Sequence, residues 1–352
     1  MNYKLADRIQ LVSFDNRVFL IDEEMMELEG CSQLQYRALE LLKQGCPLEE
    51  LNSLLQHEDR DQLLEFLDNQ NMLRDAWSDE YKGTIVEKQI YYLDDFSSRP
   101  DLAQQELSHA TVAIIGVGGV GSVALQHLLG AGVKSFILID SDYVQRDNLN
   151  RQFIYQNSDI GRLKVEAAKD YIHHIDMTAE VVTHQRWIDS EDSLSILDSS
   201  SINILINAAD QPRNLYPIVN QYCLKRKLPW IGAGVGRHSG SWGPLYIPEE
   251  TLCMACFYKW EEVEMDDLEK EIRHHIEPNI QASFGATNTI ISSFMVKDVI
   301  LYLALRDRVT IPSAGARCNM DFRTLEIIQH APDKTVTPCR CWKGESECYT
   351  TV

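Results

Sequence analysis

The chain has 352 residues, of which 44% are hydrophobic, and its formal net charge at pH 7 is −20. This length is enough for two domains, each with an ordinary hydrophobic core. The negative charge disfavours nucleic acid and anionic membrane surfaces as partners, because the summed field repels phosphate groups. The amino terminus has no apolar segment of signal-peptide length, and we expect a cytoplasmic protein that binds no membrane.

Residues 1–80 predict a small domain of short strands and three helices. The segments IQLVSF and RVFLID alternate like strands, and they meet at a turn formed by Asp15 and Asn16. Helical patterns follow, and each has a recognisable start or apolar face. The first helix is capped by Ser32 and ends at Gly45, the second opens at Pro47, and the third contains Leu63 and Leu67.

A polar, irregular stretch, residues 81–108, is expected to be a linker that ends in a short helix. Beyond it, residues 109–352 alternate between strand and helix patterns. This alternation predicts a Rossmann-like, doubly wound α/β domain whose mostly parallel sheet is covered on both faces. The predicted strands are TVAIIG, SFILID, AEVVTH, INILINAA and PWIGAG.

The stretch AIIGVGGVGSVALQHLLGAGVKSFILID reads as a strand, a glycine turn, a helix and a second strand that ends on an acid. Gly116, Gly118 and Gly121 have the spacing of the dinucleotide fingerprint, and Asp140 stands where an acid binds ribose. Such a turn binds the phosphate of NAD, FAD or ATP alike, through backbone N–H groups and the helix dipole. An NAD-dependent oxidoreductase is therefore one alternative.

The residues after this turn favour ATP over NAD. Hydride transfer does not need an arginine and a lysine that converge on phosphates, whereas adenylation does. In adenylation a carboxylate attacks the α-phosphorus, and negative charge builds on the pyrophosphate that leaves. Arg151 and Lys164 can supply the cations, and Asp210, which follows a predicted buried strand, can hold Mg²⁺.

From about residue 105 onward the chain resembles the E1-like superfamily of ubiquitin-activating and ThiF/MoeB/HesA adenylating enzymes. The shared motifs are Gly-x-Gly-Gly-x-Gly, Asp-x-Asp, Asn-x-x-Arg-Gln, Lys and Asp, in family order. The resemblance implies that Asp140 binds ribose, that Asp210 binds Mg²⁺, and that Arg151 and Lys164 act with Asp210 in catalysis. The implied nucleotide-binding residues are Gly116, Gly118, Gly119, Gly121, Asp140, Asp142, Asn148, Arg151, Gln152, Lys164 and Asp210.

Five of the nine cysteines form two clusters, a spacing that suggests a metal more than disulfides in a reducing compartment. The resemblance identifies them with the family's structural zinc site, in which four thiolates form a tetrahedron. Cys253 and Cys256 are the expected ligands in the first cluster, with Cys339 and Cys341 in the second. Cys348 is an alternative ligand, because the second cluster lacks the usual Cys-x-x-Cys spacing, and a site without metal is a further alternative.

Two features depart from the family pattern. No cysteine lies between Cys256 and Cys318, and we expect adenylation without transfer to a thioester. Where the family commonly has an arginine before the first strand, this chain has Lys88, which is a candidate for reaching a nucleotide across a dimer interface. The resemblance also implies a homodimer.

Residues 1–80 resemble the PqqD-like peptide-recognition domain, a winged-helix-like module that binds leader peptides by adding them as an extra strand. We expect the leader to dock at an exposed strand edge near RVFLID. This domain order is similar to that of adenylating enzymes that modify ribosomally made peptides, such as those of microcin C and pantocin A biosynthesis.

The resemblance therefore implies ATP-dependent activation of a carboxylate on a precursor peptide. We favour activation of a glutamate side chain followed by cyclisation, as in pantocin A biosynthesis. Adenylation of the peptide's carboxyl-terminal residue, as in microcin C biosynthesis, and adenylation of a sulfur-carrier protein are the alternatives. His275 is a candidate base, Arg237 and His238 are candidates for the peptide pocket, and Asn214 is a candidate for supporting Asp210.

Overall fold

The computed structural model describes residues 2–77, 80–264, 283–306, 309–332 and 339–343. The chain divides into two compact units. The first contains residues 1–106 with 307–309, and the second contains residues 107–306 with 310–352.

The first unit is an α+β structure. Its core packs β1 and β3 against the apolar faces of three helices, and Leu20, Leu39, Leu42 and Leu67 are fully buried there. Ser32 and Gln35 form a reciprocal capping box at the start of the first helix, and Gly45 ends that helix with a positive φ of 81°. The elements are β1 Asn2–Leu5, β2 Gln10–Phe14, β3 Arg17–Ile21, β4 Met25–Glu27, α1 Gln33–Gln44, β5 Cys46–Pro47, α2 Leu48–Leu54, α3 His57–Asn69 and β6 Leu73–Asp75.

Most of the segment RVFLID forms β3, which is the central strand of a small sheet and not an edge strand. Asp15 and Asn16 form the expected turn, since both have a positive φ, and β2 pairs with β3 through its whole length. The chain then folds back at Asp22, whose N–H donates to the carbonyl of Glu24, so that β4 pairs with the other side of β3. The sheet order is β2-β3-β4, and its two edges are therefore β2 and β4.

The predicted linker contains two helices, α4 Glu87–Leu93 and α5 Pro100–His109. Asp94, at the end of α4, is buried against Arg74, with 2.9 Å between the Arg74 Nε and the Asp94 Oδ1. Burial raises the pKa of the Asp94 carboxyl, although the Arg74 guanidinium acts in the opposite direction. This ion pair binds α4 to the strands of the first unit.

The second unit is built on an eight-stranded sheet with the order β14-β13-β12-β11-β10-β7-β8-β9. The five strands from β11 to β9 are parallel, and three antiparallel strands extend the sheet beyond β11. The predicted doubly wound, mostly parallel sheet is therefore confirmed. The elements are β7 Thr111–Ile115, α6 Gly119–Gly130, β8 Ser135–Ile139, α7 Lys164–Ile175, β9 Glu180–His184, β10 Ile204–Asn207, α8 Leu215–Arg226, β11 Trp230–Val235, β12 Ser239–Trp242, α9 Met254–Glu264, α10 Gly285–Leu305, β13 Arg317–Asp321 and β14 Ile327–His330.

Strand order reverses at β7, because β8 follows on one side of it and β10 on the other. In open parallel sheets such a switch point leaves a crevice at the carboxyl ends of the strands, where ligands bind. The strands around it are fully buried, as Ile114, Leu138 and Ile206 illustrate. The strands at the base of the crevice are therefore part of the hydrophobic core.

Helix α10 is long and apolar enough to cross a membrane, judged by length and composition alone. It is also a helix of the protein core, because 56% of its most apolar window is buried and its Asp298 accepts a hydrogen bond from Trp242 Nε1 at 3.1 Å. Buried helices of this kind satisfy the same criterion as membrane spans.

Candidate nucleotide site and cysteine cluster

The glycine turn follows β7 and opens α6. Gly116 has a φ of 85°, and a Cβ on it would lie 2.9 Å from Ala209. A Cβ on Gly121 would lie 1.9 Å from the Gly116 carbonyl oxygen, so a larger residue cannot fit there. Gly118 is the N-cap of α6 and provides no side-chain hydrogen bond to it. The first N–H groups of the helix are consequently without a side-chain cap, as an anion site requires.

Asp140 follows β8 and faces the same turn. Its Oδ2 accepts a hydrogen bond from the Val117 N–H at 2.7 Å, and its Oδ1 accepts one from the Asp142 N–H at 2.8 Å. A carboxylate has further lone pairs, so these two bonds leave acceptor capacity for a ribose hydroxyl. Asp140 thus joins the glycine turn to the loop that starts at Asp142.

That loop carries Asn148, Arg151 and Gln152. Asn148 is buried, and its Oδ1 accepts from the Gln145 N–H at 3.0 Å, so it stabilises the loop itself. Arg151 donates to the Asp147 carbonyl at 2.7 Å and to Asn150 Oδ1 at 2.9 Å. Its Cδ would lie 3.7 Å from a Cβ on Gly119, which brings the arginine to the start of α6.

Lys164 begins α7 and is 6% exposed. Its Nζ donates to Asp142 Oδ2 at 3.0 Å. The Asp142 side chain is 62% exposed, and the ion pair is therefore open to solvent on one side. A ligand phosphate can compete for such a lysine at a modest energetic cost.

Asp210 stands beyond the carboxyl end of β10. Ala209 touches Gly116, and the segment with Asp210 therefore lies beside the glycine turn. Asn207 ends β10 fully buried, and its Oδ1 accepts from the Ala209 N–H at 3.3 Å. Asn207 thus holds the turn in place, and the exposed carboxylate of Asp210 on this turn is suited to binding a hydrated cation such as Mg²⁺.

Buried polar atoms around the turn lack protein partners among the residues that the structure describes. They are the Ser122 Oγ in the first turn of α6, the Gln152 Oε1 and the Asn207 Nδ2. The Gln152 Nε2 lies 3.8 Å from the position of a Cβ on Gly118. Buried polar groups without partners are uncommon in folded proteins, and these three are available to hydrogen-bond a polar ligand at the turn.

Tyr155 and Asn288 both contact the glycine-turn region, but neither was predicted from the sequence. Tyr155 is buried, and its hydroxyl lies 2.9 Å from the Val117 carbonyl and 3.3 Å from the Lys164 carbonyl. Burial raises the pKa of this phenol well above its ordinary value. Tyr155 thus supports both the glycine turn and the start of α7, but a single tyrosine in a loop carries no sequence signal for this role.

Four cysteines meet in the second unit. The sulfur atoms of Cys253, Cys256, Cys339 and Cys341 all lie within 4.8 Å of one another. Sulfurs that share one tetrahedral Zn²⁺ at about 2.3 Å are separated by about 3.8 Å, so the donor set fits a metal ion. The Cys253 N–H donates to Cys339 Sγ at 3.1 Å, and hydrogen bonds from Cys256 and Cys339 lower the pKa of the Cys253 thiol.

Four further candidate residues lie in the part of the chain that the structure describes. The Lys88 side chain is 86% exposed in the first unit, where it pairs with Glu87 at 3.0 Å. Arg237 and His238 are exposed on the turn between β11 and β12, at the carboxyl edge of the sheet. Asn214 is the N-cap residue of α8 and forms no side-chain cap. Cys348 and His275 lie outside the described residues.

Two curated relatives align with parts of the chain. Ubiquitin-like modifier-activating enzyme 5 of Caenorhabditis briggsae is 29% identical over 253 residues, which cover 69% of this chain and 57% of that protein. Adenylyltransferase and sulfurtransferase UBA4 of Meyerozyma guilliermondii is 26% identical over 199 residues, which cover 55% of this chain and 46% of that protein. The chain therefore spans about half the length of the curated relatives it matches.

Solved structures match over nearly the whole chain. Escherichia coli MccB with ATP is 22% identical with a TM-score of 0.74, and the match covers 96% of this chain and 100% of that one. The microcin C7 biosynthetic enzyme MccB in complex with N-formylated MccA is also 22% identical, with a TM-score of 0.73 and coverage of 96% and 99%. At this identity the likeness shows a common fold, the E1-like Rossmann fold.

The sequence profile of the ThiF family matches residues 88–341, a range that begins in α4 and ends at Cys341, the last residue of the cysteine cluster. This range includes the glycine turn, Arg151, Lys164 and Asp210. The chain belongs to the ThiF family.

Proposed function

We propose that this protein uses ATP to adenylate a carboxylate. The observation that carries the proposal is the arrangement around the switch point of the sheet. The glycine turn contacts the Asp210 segment through Ala209 on one side and approaches Arg151 through Gly119 on the other. Asp140 and Asp142 connect the same turn to Lys164. MccB, which shares the fold, has been solved with ATP bound.

In the proposed reaction a carboxylate oxygen of the acceptor attacks the α-phosphorus of ATP. The new bond joins that oxygen to the α-phosphorus, and the bond between the α-phosphorus and the oxygen bridging to the β-phosphorus breaks. The electron pair of the broken bond leaves on pyrophosphate, and the acceptor becomes an acyl adenylate. The carboxylate is already ionised at neutral pH, so this step needs no base.

The side chains of the site have distinct tasks in this reaction. Asp140 accepts hydrogen bonds from the ribose, and the uncapped N–H groups of α6 hold phosphate oxygens. Arg151 and Lys164 stabilise the charge that develops on the pyrophosphate, for which both must leave their present partners. Asp210 would hold Mg²⁺, which neutralises phosphate charge when bound.

We further propose that the acceptor is a ribosomally made precursor peptide whose leader binds the first unit. MccB, in the solved complex, binds N-formylated MccA, and this chain matches that structure over 96% of its length. The edges of the small sheet, β2 and β4, offer backbone groups for an added strand. Activation of a glutamate side chain followed by cyclisation is the chemistry that we favour, and adenylation of the peptide's carboxyl terminus is the alternative.

The cysteine cluster is proposed as a structural Zn²⁺ site. Its four thiols come from the start of α9 and from residues 339–341, and three of the four are buried. A closed set of four sulfurs leaves no open position for a substrate, which is typical of structural zinc. The ion would join two segments that are distant in the sequence.

A second candidate function is adenylation of a sulfur-carrier protein. The name of the relative UBA4, an adenylyltransferase and sulfurtransferase, favours it. The same nucleotide site would serve both functions, because the acceptor in each case is a carboxylate. The two proposals differ in the acceptor and in whether the first unit takes part.

The test is to incubate the purified protein with ATP, Mg²⁺ and short peptides encoded beside its gene, and to follow peptide mass and nucleotide products. Loss of water or carbon dioxide from the peptide, with release of AMP, is expected for side-chain activation. AMP retained on the peptide would establish the carboxyl-terminal chemistry instead. ATP consumption with a sulfur-carrier protein but with no peptide would contradict the peptide proposal.

A further inference from the structure

The first turn of α10 lies on the glycine turn. A Cβ built on Gly119 would lie 2.4 Å from the Asn288 Nδ2 and 3.7 Å from the Arg151 Cδ. Asn288 and Arg151 therefore converge on one point at the amino-terminal end of α6. At position 119, between the fingerprint glycines, any side chain would meet the Asn288 amide and would force it to shift.

Asn288 is held firmly in this place. It is 3% exposed, and its Nδ2 donates to Ser283 Oγ at 3.0 Å. One turn earlier, a Cβ on Gly285 would lie 2.7 Å from the Asn150 carbonyl oxygen, so the backbone of α10 also approaches the loop that carries Arg151. One turn later, Ser292 donates to the Val120 carbonyl at 2.8 Å.

Through these contacts α10 lines the candidate phosphate site, together with the glycine turn and the Arg151 loop. A buried carboxamide is neutral and has both donors and acceptors, so it can lie against a phosphate without adding charge. A leucine of similar size would present only apolar atoms to the same place. The position therefore suits an amide that faces an anion.

We propose that Asn288 is a positioning residue of the nucleotide site, which holds Arg151 against the start of α6 and lies next to the bound phosphates. This inference rests on the proposed use of ATP. It assigns to α10, and to the residue pair Gly119 and Asn288, a part in nucleotide binding.

The test compares Asn288→Asp with Asn288→Ala in the full-length protein. The aspartate has nearly the same shape but brings a negative charge to the site, and its repulsion grows with the charge of the ligand. Calorimetry with Mg²⁺ should show that Asn288→Asp weakens ATP binding by about tenfold or more, ADP binding less, and adenosine binding hardly at all. Asn288→Ala should weaken ATP binding by a smaller factor.

Thr287→Ala is the matched control, because Thr287 lies in the same turn and its hydroxyl bonds only the Phe284 carbonyl within the described structure. It should bind every ligand as the wild type does. Equal affinities of wild type and Asn288→Asp for ATP, or an equal loss for ATP and adenosine, would overturn the inference. Failure of the wild type to bind ATP would instead contradict the proposed function.

A second pair of variants keeps the test valid if the aspartate variant does not fold. Gly119→Ala places a methyl group against the Asn288 amide, and we expect weaker ATP binding. Asn288→Ala in the Gly119→Ala background removes the clash and should restore part of the affinity. Strictly additive losses in the double variant would show that the two residues act independently, and would overturn the inference.

Discussion

The carboxylate of Asp140 has two structural functions in addition to the ribose contact proposed for it. One oxygen fixes the Val117 N–H in the glycine turn, and the other fixes the Asp142 N–H at the start of the next loop. Asp142 in turn pairs with Lys164. Through these bonds, residues that are 48 positions apart in the sequence, from Gly116 to Lys164, are held around one crevice.

Loss of the Asp210 carboxylate should reduce the rate of the reaction more than loss of any other group. We predict that Asp210→Asn, which preserves the shape of the side chain, lowers ATP turnover by about a hundredfold or more. The reason is that the site loses the negative charge that would bind Mg²⁺. Turnover is measured as AMP release with an active peptide. Asp192→Asn, an exposed acid in the 3-10 helix Asp192–Leu197, should be unchanged. Full activity in Asp210→Asn would refute the role of this residue.

Tyr155 connects two parts of the site through one hydroxyl. Tyr155→Phe leaves the Val117 carbonyl without this 2.9 Å hydrogen bond, and the free energy of unfolding should fall by about 1 kcal/mol. Because the glycine turn then loses a support, KM for ATP should rise while kcat changes little. Denaturant titration and steady-state kinetics measure the two effects. A variant with unchanged stability and unchanged KM would show that the bond contributes nothing.

His127, in the last turn of α6, provides a test that depends on pH. Its Nε2 lies 3.1 Å from Ser293 Oγ, and burial lowers its pKa from the ordinary 6.5. Below pH 6.5 the unfolded chain therefore binds more protons than the folded protein, and stability should rise as pH increases toward 6.5. His127→Gln should lose this part of the pH dependence and keep the rest. The free energy of unfolding is measured by denaturant titration at several pH values. The same dependence on pH for the wild type and His127→Gln would show that His127 does not cause this change in stability.

At the scale of helices and strands, hydrophobic periodicity and capping residues predicted where the elements lie. The sequence did not predict which strands pair with one another. The buried strands around the glycine turn were predicted because apolar residues run continuously through them. Strands β12 to β14 were not predicted. The strand RCNMD alternates in polarity but has only two apolar residues, Cys318 and Met320, and β14 is exposed along its whole length. The sequence did not indicate which strands form the edges of the small sheet, because β3 becomes central only through its pairing with β4.

The cysteine cluster connects α9 to the segment around residues 339–341, and its metal should stabilise the second unit. We predict about one equivalent of zinc per chain and a melting temperature that falls by about 5 °C or more on chelation. Cys256→Ser should lose the metal, whereas Cys31→Ser, outside the cluster, should keep it. Metal content is measured by mass spectrometry. Wild-type protein that contains no metal and melts unchanged with chelator would exclude a structural zinc site.

At the scale of the whole molecule, the sequence indicated the residues that we propose for nucleotide binding, but it did not indicate the residues that hold them in place. The motif residues are the ones with distinctive chemistry, and their spacing identifies them. Tyr155 and Asn288 act through packing and single hydrogen bonds, which only the folded chain brings together. Asn288 lies 169 positions after Gly119, and no local pattern connects two residues at that separation.

The proposed function depends on the attack of a peptide carboxylate on the α-phosphorus of ATP. The direct measurement uses a substrate peptide whose carboxylates carry ¹⁸O, together with ATP and Mg²⁺, and follows the label by mass spectrometry. Attack at the α-phosphorus followed by release of AMP transfers one ¹⁸O to the phosphate of AMP, and this is the result we expect. Label found in inorganic phosphate, with ADP as the other product, would mean attack at the γ-phosphorus and would contradict adenylation.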